Sequence, residues 1–212
     1  MNADELRQQL MATGLKHSEL ENNPYQQFEA WYGQTIETGI HEPGAMTLAT
    51  VDAEGQPWQR IVLLKLFDEK GFVFFTNYES RKAKQIEVNP KVGLLFPWHL
   101  LGRQVKITGE AEKIPTAESL SYFVTRPRGS QIGAWASEQS QVIKTRSMLE
   151  SMFDNMKHKF ANNEVPLPPF WGGYRVKPKT FEFWQARDSR LHDRFMYQRN
   201  NSGDWFSLRL AP

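Results

Sequence analysis

The spacing of apolar residues is helical up to Gly39 and becomes strand-like from Ala45. Aromatic and apolar residues recur three or four positions apart after Pro24, which predicts one helix over 24–39. Further along, apolar and polar residues alternate in short runs bounded by turn sequences such as Asp-Ala-Glu-Gly and Asn-Ser-Gly. These runs predict strands over 45–51, 58–67, 72–76, 91–98, 103–114, 172–176, 180–185, 190–199 and 205–210. Helical spacing predicts three more helices, over 81–88, 116–125 and 139–161.

The order of these elements predicts an α+β domain that is mainly antiparallel β. Hairpin-like turns join most of the strands, and helices stand between groups of strands, which favours a barrel with peripheral helices over a parallel sheet. Residues 1–23 are polar and are predicted to form a mobile N-terminal arm with a short helix, so that 24–212 form a single domain. The chain has neither a Gly-x-Gly-x-x-Gly motif nor a Walker motif, and a Rossmann dinucleotide site is therefore disfavoured.

Composition excludes several classes of protein. Lys and Arg number 26 against 24 Asp and Glu, so no overall positive field favours nucleic acid. The absence of cysteine rules out disulfides, thiolate nucleophiles and cysteine-based zinc sites. The histidines lack metal-ligand spacing, and no metal is predicted. No apolar run approaches the roughly 18 residues of a membrane span, and the N-terminal sequence lacks a secretory pattern. We therefore expect a soluble, cytoplasmic protein without a membrane partner.

Candidate chemistry begins near the C-terminus, where three basic or titratable side chains occur at alternate positions. In an extended strand, Arg190, His192 and Arg194 share one face, and Leu191 and Phe195 point into the core. Cations on one strand face are costly unless an anion or water meets them. Two interpretations stay open, an anion-binding face and a solvated edge strand.

Further groups carry the side-chain types that hold phosphates. At the start of the helix over 81–88, Arg81 and Lys82 oppose the helix dipole unless an anion is bound there; the alternative is that both extend into water. Arg60 and Lys65 bracket an apolar strand and face opposite sides of it, so they reach one ligand only if the strand bends. Otherwise the two residues are solvated strand ends.

Tyr122, Arg126 and Ser130 form another group of phosphate donors, because the first two share a helix face and the third follows in a loop. A solvated helix end is the alternative. Gln139 and Ser140 are interpreted as the N-cap region of the next helix. No nucleophile–base set or carboxylate pair is recognisable, so these donors and the many aromatic residues favour an enzyme whose chemistry resides in a bound phosphorylated cofactor. Two separate phosphate groups predict two phosphorylated ligands.

Six motifs occur in order between about residue 24 and the C-terminus at 212. They are Arg60-Ile-Val-Leu-Leu-Lys65, Ser80-Arg-Lys-Ala83, Leu94-Leu-Phe-Pro-Trp98, Ser130-Gln-Ile-Gly-Ala-Trp135, Pro166-Leu-Pro with Phe170-Trp-Gly-Gly173, and Arg190-Leu-His-Asp-Arg194. In this order they resemble the pyridoxine/pyridoxamine 5′-phosphate oxidase family. The resemblance implies a homodimeric FMN-binding split β-barrel, with the flavin held at the subunit interface.

The resemblance also implies which residues bind the ligands. The residues that would contact FMN are Arg60, Ile61, Val62, Leu63, Leu64, Lys65, Phe75, Thr76, Arg81, Lys82, Gln104, Gln139, Ser140, Trp184 and Arg194. The residues that would bind the substrate are Lys65, Tyr122, Arg126 and Ser130 at its phosphate, Arg190 and His192 at its pyridine ring, and Arg7 from the arm. Arg190 and His192 are the implied catalytic residues: Arg190 opposes charge on the ring, and His192 positions it or, as the less favoured alternative, takes a proton.

The implied reaction oxidises pyridoxamine 5′-phosphate or pyridoxine 5′-phosphate to pyridoxal 5′-phosphate, with O2 as acceptor and H2O2 released. The chain departs from the family pattern at Leu10, where a tyrosine is usual, at Lys16-His-Ser18, where a basic run is common, and at Phe75, where tyrosine is frequent. Closure of the arm as a lid and a second ligand site therefore do not follow from the resemblance. The rival interpretations are a split-barrel flavoprotein with another substrate, a non-catalytic flavin or pyridoxal phosphate carrier, and a nucleic-acid-binding module.

Overall fold

The computed structural model describes residues 3–212, and the nine strands in this range form one sheet. The strands are β1 Ala45–Val51, β2 Pro57–Leu63, β3 Leu66–Asp68, β4 Gly71–Asn77, β5 Lys91–Phe96, β6 Arg103–Lys113, β7 Trp171–Gln185, β8 Asp193–Arg199 and β9 Trp205–Leu210. The helices are α1 Ala3–Thr13, α2 Pro24–Glu37, α3 Arg81–Val88, α4 Thr116–Thr125, α5 Arg128–Ala136 and α6 Arg146–Lys159. Neighbouring strands pair antiparallel, which confirms the predicted α+β, mainly antiparallel class.

The sheet divides along β7. Its first part, 171–176, pairs with β4, and its last part, 181–185, pairs with β8, while β6 runs along the opposite edge of both. The strands predicted over 172–176 and 180–185 are therefore one strand, with an irregularity in the β6–β7 register next to Gly109. One long strand, β7, thus joins the part of the sheet that contains β4 to the part that contains β8 and β9.

Aromatic side chains fill the inside of the barrel. Phe28 of α2 is fully buried, and its ring centroid lies 4.8 Å from that of Phe72 and 4.9 Å from that of Phe96, both edge to face. Phe181 and Phe183 of β7 are also fully buried. Edge-to-face pairs add about 0.5–1.5 kcal/mol each beyond burial, so α2 is held firmly against the sheet. A smaller core joins α4, α5 and α6 to the start of β7.

The predicted strand over 58–67 breaks at Leu64 and Lys65. The Leu64 amide donates to the Gly44 carbonyl at 2.8 Å, whereas the Lys65 amide donates to the Val73 carbonyl of β4 at 2.9 Å. This change of partner ends β2 and allows β3 to begin. The single predicted strand is therefore interrupted between Arg60 and Lys65.

Two predictions for the helical region after residue 125 were wrong. The segment predicted as a loop at 128–130 begins α5, because Pro127 ends one helix but can precede the first turn of another, where its missing N–H costs nothing. The helix predicted over 139–161 begins only at Arg146, where the Thr145 hydroxyl accepts a hydrogen bond from the Met148 amide at 3.3 Å. Residues 139 and 140 consequently lie in a loop and not at an N-cap.

The predicted strand over 190–199 begins three residues late. A 3₁₀ turn precedes it, in which Ser189 and Arg190 have φ angles of 54° and 61°. Positive φ at residues other than glycine costs of order 1–3 kcal/mol. Leu191 is 69% exposed, so its predicted place in the core is wrong, whereas Phe195 is fully buried. Arg190 therefore leaves the strand face that was predicted for the three basic residues.

The N-terminal arm is attached to the C-terminal part of the chain. The Leu15 amide donates to Asp193 Oδ2 at 3.0 Å, and the Arg187 guanidinium donates to the Ala12 carbonyl at 3.1 Å. Within the arm, α1 supplies the predicted short helix. Residues 1–2 of the predicted arm lie outside the described residues, and movement of the arm stays a prediction.

Candidate active site

One cavity is walled by β2, β4 and the helices α4 and α5, and its volume is about 450 Å³. The predicted site residues that line it are Ile61, Val62, Leu63, Lys65, Phe75, Thr76, Lys82, Tyr122, Arg126, Ser130 and Gln139. We call this space the main cavity. It brings together members of each group of phosphate donors, which lie far apart in the chain.

One wall of the main cavity is a stack of aromatic rings. The Phe75 centroid lies 4.0 Å from that of Tyr122 and 5.3 Å from that of Trp171, with interplanar angles of 18° and 10°. Trp171 belongs to the smaller core and is 7% exposed, yet it also lines the cavity. Nearly parallel aromatic faces form an apolar wall that suits a planar ring system.

A buried lysine supplies positive charge to the main cavity. Lys82 is 9% exposed, and its ammonium donates to Thr76 Oγ1 at 3.0 Å, Gln139 Oε1 at 2.9 Å and Ser80 Oγ at 3.3 Å. These three partners are neutral, and burial, together with the charge of Arg60, lowers the pKa of Lys82 to about 8. A bound anion would stabilise such a cation, and its hydroxyl and amide neighbours are compatible with a phosphate.

Arg60 and Arg81 extend this positive region beyond the walls of the main cavity. Arg60 donates to two oxygens of β1 at 2.6 and 3.1 Å, and burial and the charge of Arg81 lower its pKa. Arg81 and Ser140 line a second cavity of about 510 Å³. Lys82 and Gln139, the chain neighbours of Arg81 and Ser140, line the main cavity. Segments 81–82 and 139–140 therefore separate the two cavities.

A second cationic group lies where α4 meets α5. Arg126 Nη1 is buried and has no hydrogen-bond partner among residues 3–212, and burial lowers the pKa of its guanidinium. The guanidinium carbon lies 4.6 Å from the Trp171 ring centroid. Tyr122, Ser130 and Lys65 line the same cavity. Because an unpaired buried donor costs about 1–3 kcal/mol, Arg126 favours a ligand that brings an acceptor.

Most of the remaining predicted residues gather around the last part of β7. Gln104 lies opposite Trp184 in the β6–β7 pairing, and Arg194 lies opposite Trp184 in the β7–β8 pairing. The His192 ring centroid is 4.5 Å from that of Trp184, and His192 Nδ1 accepts from the Arg187 amide at 3.2 Å. A neutral imidazole that accepts at Nδ1 carries its proton on Nε2. We call Gln104, Trp184, His192 and Arg194, together with Arg190, the β7–β8 group.

The β7–β8 group does not line the main cavity. Arg194 Nε donates to Glu182 Oε1 at 2.9 Å, and Arg194 Nη1 donates to the Ala211 carbonyl at 2.8 Å. Arg190 is exposed in the strained turn before β8. Within one chain most predicted site residues therefore form two separate sets, one in and around the main cavity and the other near β7 and β8.

Two predicted residues lie elsewhere, and several lining residues were missed. The Leu64 side chain is buried in the core, and Arg7 lies on α1. Asn77 and Ser137 line the main cavity without having been predicted, and Asn77 Nδ2 donates to the Ser137 carbonyl at 3.3 Å. Asn77 directly follows predicted residues 75 and 76, which was an available signal. Ser137 follows α5, and the missed helix concealed it.

The lining of the main cavity suits an anionic aromatic ligand. Its described lining residues include three cations, Lys65, Lys82 and Arg126, and no carboxylate. Residues 3–212 contain no group of three or more His, Cys, Asp or Glu that could hold a metal ion. In the same part of the chain, no helix has the length and apolar character needed to cross a membrane.

Comparison with protein families gives two matches that together span most of the chain. Residues 33–160 match the family described as pyridoxamine 5′-phosphate oxidase. Residues 171–212 match the pyridoxine 5′-phosphate oxidase C-terminal dimerisation region. The first match contains the whole main cavity except Trp171, and the second contains most of the β7–β8 group.

Individual relatives agree with these matches. A pyridoxine/pyridoxamine 5′-phosphate oxidase from Crocosphaera subtropica is 59% identical over 214 residues and covers 100% of both chains. The crystal structure of PhzG from Burkholderia lata, in complex with tetrahydrophenazine-1-carboxylic acid, is 27% identical with a TM-score of 0.87, over 94% of this chain and 98% of that one. A pyridoxamine 5′-phosphate oxidase-related, FMN-binding protein from Nostoc punctiforme shares the fold, with a TM-score of 0.70 at 18% identity, over 91% and 100% of the two chains.

Proposed function

The chain belongs to the pyridoxamine 5′-phosphate oxidase family, and on this premise we propose that it is an FMN-dependent oxidase that forms pyridoxal 5′-phosphate. Its substrates are pyridoxamine 5′-phosphate and pyridoxine 5′-phosphate, its acceptor is O2, and its second product is H2O2. One observation carries the proposal. A single cavity joins two cationic donor sets, around Lys82 and around Arg126, to a flat aromatic wall.

The set around Lys82 fits the phosphate of FMN. Lys82 is a buried cation among neutral hydroxyl and amide partners, and Arg60 and Arg81 add charge without a carboxylate partner in the described chain. Gln139 approaches from the loop before α6 and fixes the ammonium. Bound FMN would supply the redox chemistry by accepting two electrons and releasing them to O2. The protein's own residues bind the flavin and exclude alternative positions for it.

The set around Arg126 fits the phosphate of the substrate. Arg126 Nη1 has no acceptor among residues 3–212, and a phosphate oxygen would provide one. Tyr122 and Ser130 contribute hydroxyl donors, and Lys65 contributes a second positive charge where the strand is interrupted. Fixing this end of the substrate limits how its ring lies against the flavin, and such alignment can contribute several kcal/mol to lowering a reaction barrier.

The β7–β8 group belongs to the same site if two copies of the chain associate. The match of residues 171–212 to a dimerisation region supports a homodimer. In the arrangement that we propose, the β7–β8 group of one protomer completes the main cavity of the other, with FMN at the interface. Arg190 then opposes charge on the substrate ring, and His192, whose Nδ1 is occupied by the Arg187 amide, positions the ring through Nε2–H. The arm residue Arg7 is proposed to contact the substrate from outside.

Peroxide release tests the proposed function directly. Purified protein is supplied with FMN, air and pyridoxamine 5′-phosphate, and peroxide and aldehyde are measured together over many turnovers. Sustained, equal yields of both are expected. If the protein binds FMN without turnover, it is a flavin or pyridoxal phosphate carrier and not an oxidase. If turnover occurs only with a non-phosphorylated ring, such as the tetrahydrophenazine-1-carboxylic acid bound by PhzG, the substrate assignment is rejected.

A further inference from the structure

Arg81 is the least constrained cation of the three near the proposed flavin phosphate. It occupies the first position of α3, where the helix dipole is positive and disfavours another cation. Arg60 is close enough for the two charges to act on each other, and Lys82 follows directly in the chain. Among residues 3–212, Arg81 makes no ion pair. Arg81 is exposed, and a carboxylate does not fix its side chain in the described chain.

A tryptophan face lies under this guanidinium. The Arg81 guanidinium carbon is 4.4 Å from the ring centroid of Trp58 on β2, which is within the range of a cation–π contact. Trp58 is 36% exposed, so the contact is made at a partly open surface. Arg81, Trp58 and Ser140 line the same second cavity, which places the contact beside a residue predicted to bind FMN.

An aspartate fixes the tryptophan in turn. Trp58 Nε1 donates to Asp52 Oδ2 at 2.8 Å, while Asp52 Oδ1 accepts from the Glu54 and Gln56 amides at 3.2 and 2.8 Å. The hydrogen bond from Trp58, followed by these amides, lowers the pKa of Asp52. The carboxylate is thus occupied by neutral donors in the β1–β2 turn. It orients the indole without pairing with Arg81.

We infer that Trp58 is a positioning residue for cofactor binding, which holds Arg81 ready for the flavin phosphate. A carboxylate in the same place would neutralise the guanidinium and compete with the phosphate. An aromatic face attracts the cation but leaves its charge and its N–H donors available to an anion. The inference rests on the proposed function, because it takes FMN to be the ligand.

Titration of the apoprotein with FMN, followed by the loss of flavin fluorescence, tests this inference without an activity assay. Trp58→Leu removes the aromatic face and is expected to weaken FMN binding about two- to fivefold, as the loss of an exposed cation–π contact implies. Trp58→Phe keeps an aromatic face and is the matched control, with most of the affinity retained. Riboflavin is the ligand control, since it lacks the phosphate, and its affinity should be equal in the wild type and in Trp58→Leu.

A double-mutant cycle separates positioning of Arg81 from a general effect on the fold. Adding Trp58→Leu to Arg81→Gln should cause no further loss of FMN affinity, because the cation that Trp58 holds is already gone. An additive loss, an equal loss for riboflavin, or unchanged or tighter FMN binding by Trp58→Leu would overturn the inference. A wild-type protein that does not bind FMN would instead reject the proposed function, so the two failures are distinguishable.

Discussion

Lys82 offers the sharpest test of the proposed flavin phosphate site, because its charge is unfavourable until an anion binds. In the folded protein its pKa is lowered from 10.5 to about 8, first by burial and then by the charge of Arg60. Between these two pH values the unfolded chain holds more protons than the folded protein. The free energy of unfolding should therefore rise with pH in this window. Lys82→Met removes the titrating group and the rise with it.

The size of the effect follows from the two pKa values. For a single group with these values, the contribution to the free energy of unfolding increases by about 2 kcal/mol between pH 7 and pH 9.5. Tyrosines with raised pKa values, such as Tyr25 and Tyr197, also titrate at high pH and lower stability there. They are present in both proteins, so the difference between the wild type and Lys82→Met isolates the lysine.

Urea unfolding of the two apoproteins at pH 7, 8, 8.75 and 9.5 measures this difference. The stability of the wild type relative to Lys82→Met should increase steadily across the series. Saturating FMN should flatten the increase, because a phosphate beside the ammonium restores its charged form. Parallel stability curves for the two apoproteins would refute the argument that Lys82 is a buried cation in need of an anion.

Three further substitutions test the rest of the site. Lys65→Met should raise the Michaelis constant for the phosphorylated substrate roughly 10- to 100-fold, since one charge-assisted hydrogen bond contributes about 1.5–3 kcal/mol, and an unchanged constant would reject the phosphate assignment. Arg190→Met should fold and bind FMN yet lose most of its kcat/KM, and near-normal turnover would contradict its role at the substrate ring. Asp193→Asn should weaken the attachment of the arm at Leu15, so limited proteolysis should cut the arm faster than in the wild type. Burial opposes the charge of Asp193, but its hydrogen bonds outweigh burial and lower its pKa. The wild-type arm should therefore loosen only as the pH falls through that lowered pKa. Equal cutting of both proteins at neutral pH would argue against this attachment.

Local patterns in the sequence were sufficient for most of the sheet and for the cationic groups near the main cavity, whereas Ile61, Val62, Leu63, Phe75 and Thr76 were implied only by the resemblance to a known family. Alternation along β6 predicts the burial of Val105 and Ile107, and both point into the core. The opposite facing of Arg60 and Lys65 indicated that a shared ligand needs a distorted strand, and the strand is interrupted at residues 64–65. Both features depend mainly on residues that are close in sequence, so a local sequence pattern can predict them.

The errors arose where distant contacts override local spacing. Alternation of Arg190, His192 and Arg194 predicted one strand face, but the chain makes a strained turn at residue 190. Gln139 looked like part of a helix by spacing, whereas its amide oxygen accepts from Lys82, 57 positions earlier in the chain. Neither the turn at residue 190 nor the Lys82–Gln139 hydrogen bond has a signature in the neighbouring sequence. The division of the site into two sets also follows from the topology of β7, which no short segment specifies.

The topology of β7 has a consequence for how the protein is made. The cavity walls come from residues 61–65, 75–82 and 122–139 and are completed by Trp171, which lies opposite Asn77 in the β4–β7 pairing. A chain that emerges from the ribosome one residue at a time therefore cannot complete the main cavity until synthesis reaches its last fifth. Pairings between residues this far apart close large loops, and such pairings slow folding. Until then β4 and β6 have free edges that can join other chains, so the interval before β7 arrives is when this protein is most prone to aggregate.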